Sequence, residues 1–81
     1  MRVKVLLFAG LREKWGSGEA DLEIPLGTTP QELSGRLFAD GAVSADFWRK
    51  VRFAVNLDYV PGNTVLHEGD EVALIPPVAG G

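Results

Sequence analysis

An α+β fold, one mixed sheet covered on one face by a single main helix, is predicted for this 81-residue chain by three observations. Apolar and polar residues alternate near both ends, in 2–8 and again in 71–76, as strands with one buried face require. Between them Gly27-Thr28-Thr29-Pro30-Gln31-Glu32 has the chemistry of a helix start. The length sets the third condition, because a chain of this size sits near the lower limit at which one hydrophobic core sustains a fold.

The first strand spans 2–8, with Val3, Val5 and Leu7 on one face and Arg2, Lys4, Leu6 and Phe8 on the other. Its second face turns apolar towards the end. Residues 9–18 lead into Gly16-Ser17-Gly18, read as a turn between two strands rather than a phosphate cradle. A second strand follows, in which Ala20, Leu22, Ile24 and Leu26 alternate with Asp21, Glu23 and Pro25. Pro25 has no N–H for a ladder, so that end belongs at a sheet edge or beyond the pairing. Thr29 then fits N-cap, Pro30 the first helical position and Glu32 the third, completing a capping box ahead of Leu33, Leu37 and Phe38. Gly35 inside that helix implies close packing or a weak middle, and Gly41 suits the position after its end. Ser44 caps a short helical piece through Arg49 that carries Phe47 and Trp48.

A third strand is read over 52–57, with Phe53, Val55 and Leu57 sharing a face. Tyr59-Val60 forms a short partner, and turns follow at Pro61-Gly62-Asn63 and His67-Glu68-Gly69-Asp70. The final strand runs from Glu71 to Pro76, with Val72 and Leu74 inward and Ala73 and Ile75 outward. The first and last strands are the most apolar and belong side by side in the middle of the sheet. This order is that of a ubiquitin-like β-grasp: a domain over 1–76 and a flexible tail over 77–81.

Composition narrows the chemistry. With no cysteine and one histidine, His67, the sequence offers neither a disulfide framework nor metal-ligand spacing. Serine and histidine are too sparse for a nucleophilic triad, and Asp70-Glu71, adjacent on a strand, point to opposite faces. The net charge of −3 argues against nucleic acid and for basic protein partners. No apolar run approaches membrane-spanning length, and the N-terminal residues lack a signal-peptide layout, so a cytoplasmic protein is expected.

What remains is Pro76-Pro77-Val78-Ala79-Gly80-Gly81. Two glycines keep the backbone thin enough to thread a channel that a Cβ would block, and they present an ionised carboxylate as the leading group. Pro76-Pro77 stops pairing and stiffens the exit, and the five residues from Pro77 reach at most roughly 17 Å. On the outward face, Phe8, Tyr59 and Ile75 are positioned to form an apolar docking patch near that exit, with Arg12 and Glu13 as a charged rim. The plainer reading folds these side chains under loops.

The sequence resembles the small, sulfur-carrying subunit of molybdopterin synthase. The resemblance runs over the whole chain. It is carried by Lys4-Val5-Leu6-Leu7-Phe8-Ala9, by Arg12-Glu13, by Ala54-Val55-Asn56, and by Gly69-Asp70-Glu71-Val72-Ala73 running on to Gly80-Gly81. Leu57 departs from the family's pattern, which often has glutamine there. The resemblance implies a non-catalytic carrier that binds no cofactor of its own. A ubiquitin-activating-like enzyme uses ATP to adenylate Gly81, and a sulfur donor converts it to a thiocarboxylate. Gly80 keeps the tail slender for entry into the large synthase subunit, where sulfur passes to cyclic pyranopterin monophosphate. Phe8, Arg12, Tyr59, Ile75 and the segment Pro76, Pro77, Val78, Ala79 are the implied partner contacts in a hetero-oligomer. Three rival readings stay open: a carrier for thiamine or another pathway, a modifier joined through Gly81 to lysines, and a regulatory domain with no tail chemistry.

Overall fold

The alternation in 2–8 becomes a strand buried on one side: β1 (Arg2–Leu7) hides Val3, Val5 and Leu7 almost completely. The computed structural model describes residues 1–41 and 43–77. After β1 come α1 (Ala9–Trp15), β2 (Glu19–Glu23), α2 (Pro30–Leu37), α3 (Ala45–Lys50), β3 (Arg52–Val55), β4 (Asp58–Val60) and β5 (Glu71–Ile75). The strands form one sheet in the order β2-β1-β5-β3-β4. β1 and β5 run parallel at its centre, and the other neighbours are antiparallel. This is the mixed β-grasp sheet that the strand pattern implies.

The inner face of the sheet carries Val3, Val5, Leu7, Val72 and Leu74, with Phe53 and Val55 packed against them. α2 lies on that face through Leu33 and Leu37, and its start has the expected geometry. Glu32 N–H donates to Thr29 Oγ1 at 3.3 Å, while Thr29 N–H donates to Glu32 Oε1 at 3.1 Å. Ser44 caps α3 in the same manner, accepting from Phe47 N–H. A chain of rings, Trp15 to Phe38 to Trp48 to Phe47, ties α1, the end of α2 and α3 together at centroid separations of 6.1, 5.7 and 6.4 Å.

The structure corrects several expectations. Residues 9–15 form a helix of good helix formers that buries Leu11 and sets Trp15 one turn later. It starts at Phe8 without a side-chain cap, so the usual start signal is missing from the sequence. Gly16 therefore ends a helix, at φ +96 with its N–H on Arg12 O, instead of joining two strands directly. Leu26 is 85% exposed because β2 stops at Glu23 and a turn closed by Thr28 N–H on Pro25 O lifts it into solvent. Leu57 leaves the face of Phe53 and Val55 because β3 ends at Val55 and the chain reverses at Asn56-Leu57. Gly35 is exposed, with open space where a Cβ would stand, so nothing packs closely there. Gly41, at φ +78, closes a turn onto Phe38 O beyond the C-cap rather than at the helix end.

Candidate functional site

Side chains two apart along a strand share a face, and paired residues on neighbouring strands stand side by side. Leu6 is paired with Ala73, Ala73 with Ala54, and Ala54 with Tyr59, which makes an apolar row across four strands of the outer face. One step towards the end of β5 lies a second row, with Ile75 opposite Arg52 and Phe8 just past the end of β1. One step the other way the face is charged. Lys4 stands between Asp21 and Glu71, and Arg2 is bridged to Glu23 at 3.1 Å. The outer face is thus split into an ionic half and an apolar half. The apolar half is the one where β5 ends and hands over to Pro76.

That half holds a shallow cavity of about 210 Å³, lined by Leu6, Phe8, Ala54, Leu57, Tyr59, Glu71, Ala73 and Ile75. Phe8 is 46% exposed and Tyr59 67% exposed, so both rings offer surface without leaving the fold. The Arg52 guanidinium sits 6.0 Å from the centre of the Tyr59 ring, a cation over an aromatic face that holds the ring's orientation. Backbone strain collects around the same cavity. Among the described residues the non-glycine positive φ angles are at Ala9 (+49), Asn56 (+51) and Leu57 (+74). Ala9 is the step that turns the chain out of β1 beside Phe8, and Asn56-Leu57 is the hairpin tip next to Tyr59. Such conformations persist where the surroundings over-determine them, and they concentrate at binding sites.

The structure brings Phe8, Tyr59 and Ile75 to one cavity and adds Leu6, Ala54 and Leu57 to it. Leu6 shares with Phe8 the strand face that turns apolar towards its end, whereas the sequence pattern sets Leu57 with Phe53 and Val55 on the opposite side. Arg12 lies on α1 and runs along the backbone of Gly18, and neither it nor Glu13 lines the cavity. Pro76 is buried and anchors the tail's root, leaving Pro77 as the exposed member of the pair. Val78, Ala79, Gly80 and Gly81 lie outside the described residues.

A larger cleft, about 510 Å³, opens between α2, α3 and the β3-β4 edge and shares Arg52 and Tyr59 with the outer face. Its Arg49 is engaged by Asp46 at 2.8 Å. Among the described residues no cluster of three or more histidine, cysteine or acidic side chains has the spacing of a metal site. No helix among them is long and apolar enough to cross a membrane.

Comparison with known proteins gives this geometry a relationship: the ThiS family matches residues 5–81, from the second half of β1 through the diglycine. The chain belongs to the ThiS family. Among curated relatives of this ThiS-family chain, the molybdopterin synthase sulfur carrier subunit of Chlamydomonas reinhardtii is 36% identical over 83 residues, covering 100% of both chains. The protein of the same name from Mycobacterium tuberculosis is 38% identical over 82 residues, covering 100% of this chain and 99% of that one. Among solved structures, the small archaeal modifier protein 1 of Methanosarcina acetivorans superposes with a TM-score of 0.75 at 28% identity, over 99% of this chain and 96% of that one. The ubiquitin-like β-grasp and the resemblance to molybdopterin synthase carriers are both borne out.

Proposed function

We propose that this ThiS-family chain is the sulfur carrier subunit of a molybdopterin synthase. The observation that supports it most is the full-length match to two sulfur carrier subunits. The fold is consistent with the division of labour a carrier needs. The apolar half of the outer face docks a partner, and β5 ends beside it and hands over to Pro76, five residues ahead of Gly81 in the sequence.

A carboxylate is a poor electrophile, so Gly81 is first activated. Its oxygen attacks the α-phosphate of ATP on an adenylating enzyme, and pyrophosphate leaves. A sulfur nucleophile then displaces AMP from the acyl-adenylate and leaves a thiocarboxylate. Docked on the large subunit, the tail delivers that sulfur to cyclic pyranopterin monophosphate, and water returns Gly81 to a carboxylate. A dithiolene holds two sulfurs, so two carriers are consumed per pterin. Gly81 supplies the oxygen and then the sulfur that react, while acid–base chemistry is left to the partner enzymes, which makes this chain a carrier and not a catalyst. An anionic tail buried in a channel needs compensating charge, so lysine or arginine is expected in both partner channels.

Intact mass after incubation with ATP, a sulfur source and the activating enzyme tests the reading. Replacement of one oxygen by sulfur at the C-terminus is the expected result. An unchanged mass, together with pterin synthesis that survives removal of Gly81, would overturn it. The likeness to an archaeal modifier protein favours a second reading, in which Gly81 is joined to lysines of other proteins. Amide-linked adducts in the same experiment distinguish that outcome.

A further inference from the structure

The β3-β4 hairpin turns in two residues, because Val55 pairs with Asp58 and only Asn56 and Leu57 lie between them. A two-residue hairpin follows the twist of its strands when both central residues take positive φ, a requirement that asparagine and glycine meet easily and leucine does not. Asn56 meets it and is clamped: its N–H donates to Glu71 O at 2.8 Å, its Nδ2 to Asp70 Oδ1 at 2.9 Å, and its Oδ1 accepts from Glu71 N–H at 3.0 Å. Asp70 is in turn held by His67 N–H at 2.7 Å. The tip is therefore fixed through Asn56 to the turn that precedes β5, and Leu57 follows at φ +74. Yet its side chain is 89% exposed and adds nothing to the core. A bulky apolar group held in a conformation that suits glycine, in water and on the wall of the outer cavity, has no role inside the free domain.

We propose that Leu57 is a preorganised apolar anchor that helps select the carrier's partner, the large subunit of the synthase. This rests on the carrier reading above. Leu57, Tyr59 and Phe8 stand around a cavity of about 210 Å³ that takes one apolar side chain from the partner. Glu71 lines the same cavity and Asp58 adjoins Leu57 on the hairpin, so the entering side chain is flanked by lysine or arginine. A second copy of this chain fits less well, since its net charge of −3 sets like against like. Because the clamp is already made in the free domain, the hairpin tip that carries Leu57 meets the partner with little backbone ordering cost.

Calorimetric titration of the full-length carrier with the large subunit, alongside thermal unfolding of the free carrier, tests this. Leu57→Gly is expected to weaken binding at least about tenfold, the scale of an interface anchor, while the unfolding midpoint stays equal to or above that of the wild type. Leu57→Met keeps the apolar group and retains affinity within about threefold of the wild type. Glu71→Gln binds more weakly and with a shallower dependence on salt. Affinity of Leu57→Gly within about twofold of the wild type overturns the inference. So does a lowered midpoint, which would make Leu57 a packing residue, and so does a titration in which the carrier pairs with itself through this face. If the wild-type carrier does not bind the large subunit at all, the carrier reading itself fails and this inference falls with it. If the wild type binds and the variants bind equally well, only the inference fails.

Discussion

On the inner face of the sheet, Val3, Val5, Leu7, Val72 and Leu74 keep at most 2% of their surface in contact with solvent, whereas on the outer face Phe8, Tyr59 and Leu57 keep 46, 67 and 89%. Both faces belong to one sheet, with Tyr59 inside β4 and Phe8 and Leu57 at the ends of strands. The difference arises because one layer of short helices covers one side of a five-stranded sheet, and an 81-residue chain has no second layer to spend on the other. Apolar residues on the uncovered side therefore contribute little to folding. They are gathered into one half of that side, next to the end of β5, and the strained backbone steps lie around them. Inner-face residues are read as stability and outer-face residues as recognition. That division can be broken one residue at a time.

On stability the largest effect belongs to the inner face. Leu74→Ala removes a fully buried side chain from the central strand and is expected to cost about 2–5 kcal/mol in urea unfolding. Gly62→Ala comes next. A Cβ there would meet Phe53 Cε2 at 3.0 Å, so the ring must shift by a few tenths of an ångström, and about 1 kcal/mol of overpacking is expected, with a lowered unfolding midpoint. Gly35→Ala has the opposite sign. Its site is exposed and open in mid-helix, and the substitution should add about 0.4–1 kcal/mol to the same unfolding free energy.

Phe8→Asp is the sharpest test and the smallest in stability. Phe8 is the uncapped N-cap of α1, so aspartate there gains a cap as it loses a half-exposed ring, and the net change should stay within about 1 kcal/mol. Its affinity for the large subunit should still fall at least about tenfold. A domain that unfolds on this change would place Phe8 with the inner face and erase the distinction.

Much of this was legible before any coordinates. The capping box at Thr29 and Glu32 and the Ser44 cap were readable because they are local: each needs only residues within one turn. The central place of β1 and β5 was readable because the first and last strands are the most apolar. α1 escaped because its start carries no side-chain cap, and the residue it buries, Leu11, packs into a core assembled from segments far along the sequence. Leu57 was placed on the wrong side because its alternation continues unbroken through a point where the chain reverses. That reversal is secured by Asn56 reaching Asp70 and Glu71 across the sheet.

By itself, then, the sequence determined the α+β class, the starts of α2 and α3, the central place of the first and last strands and the diglycine that singled out the tail, through local spacing and the apolar content of each segment. Only the tertiary structure decided which apolar residues stay in water. Burial depends on what the other layer reaches, and so Leu6 joined Tyr59, Arg12 stood apart from the cavity, and Pro76 went inside. The register across four strands brought Leu6, Ala73, Ala54 and Tyr59 into one row, and hydrogen bonds between distant turns set Leu57 beside it.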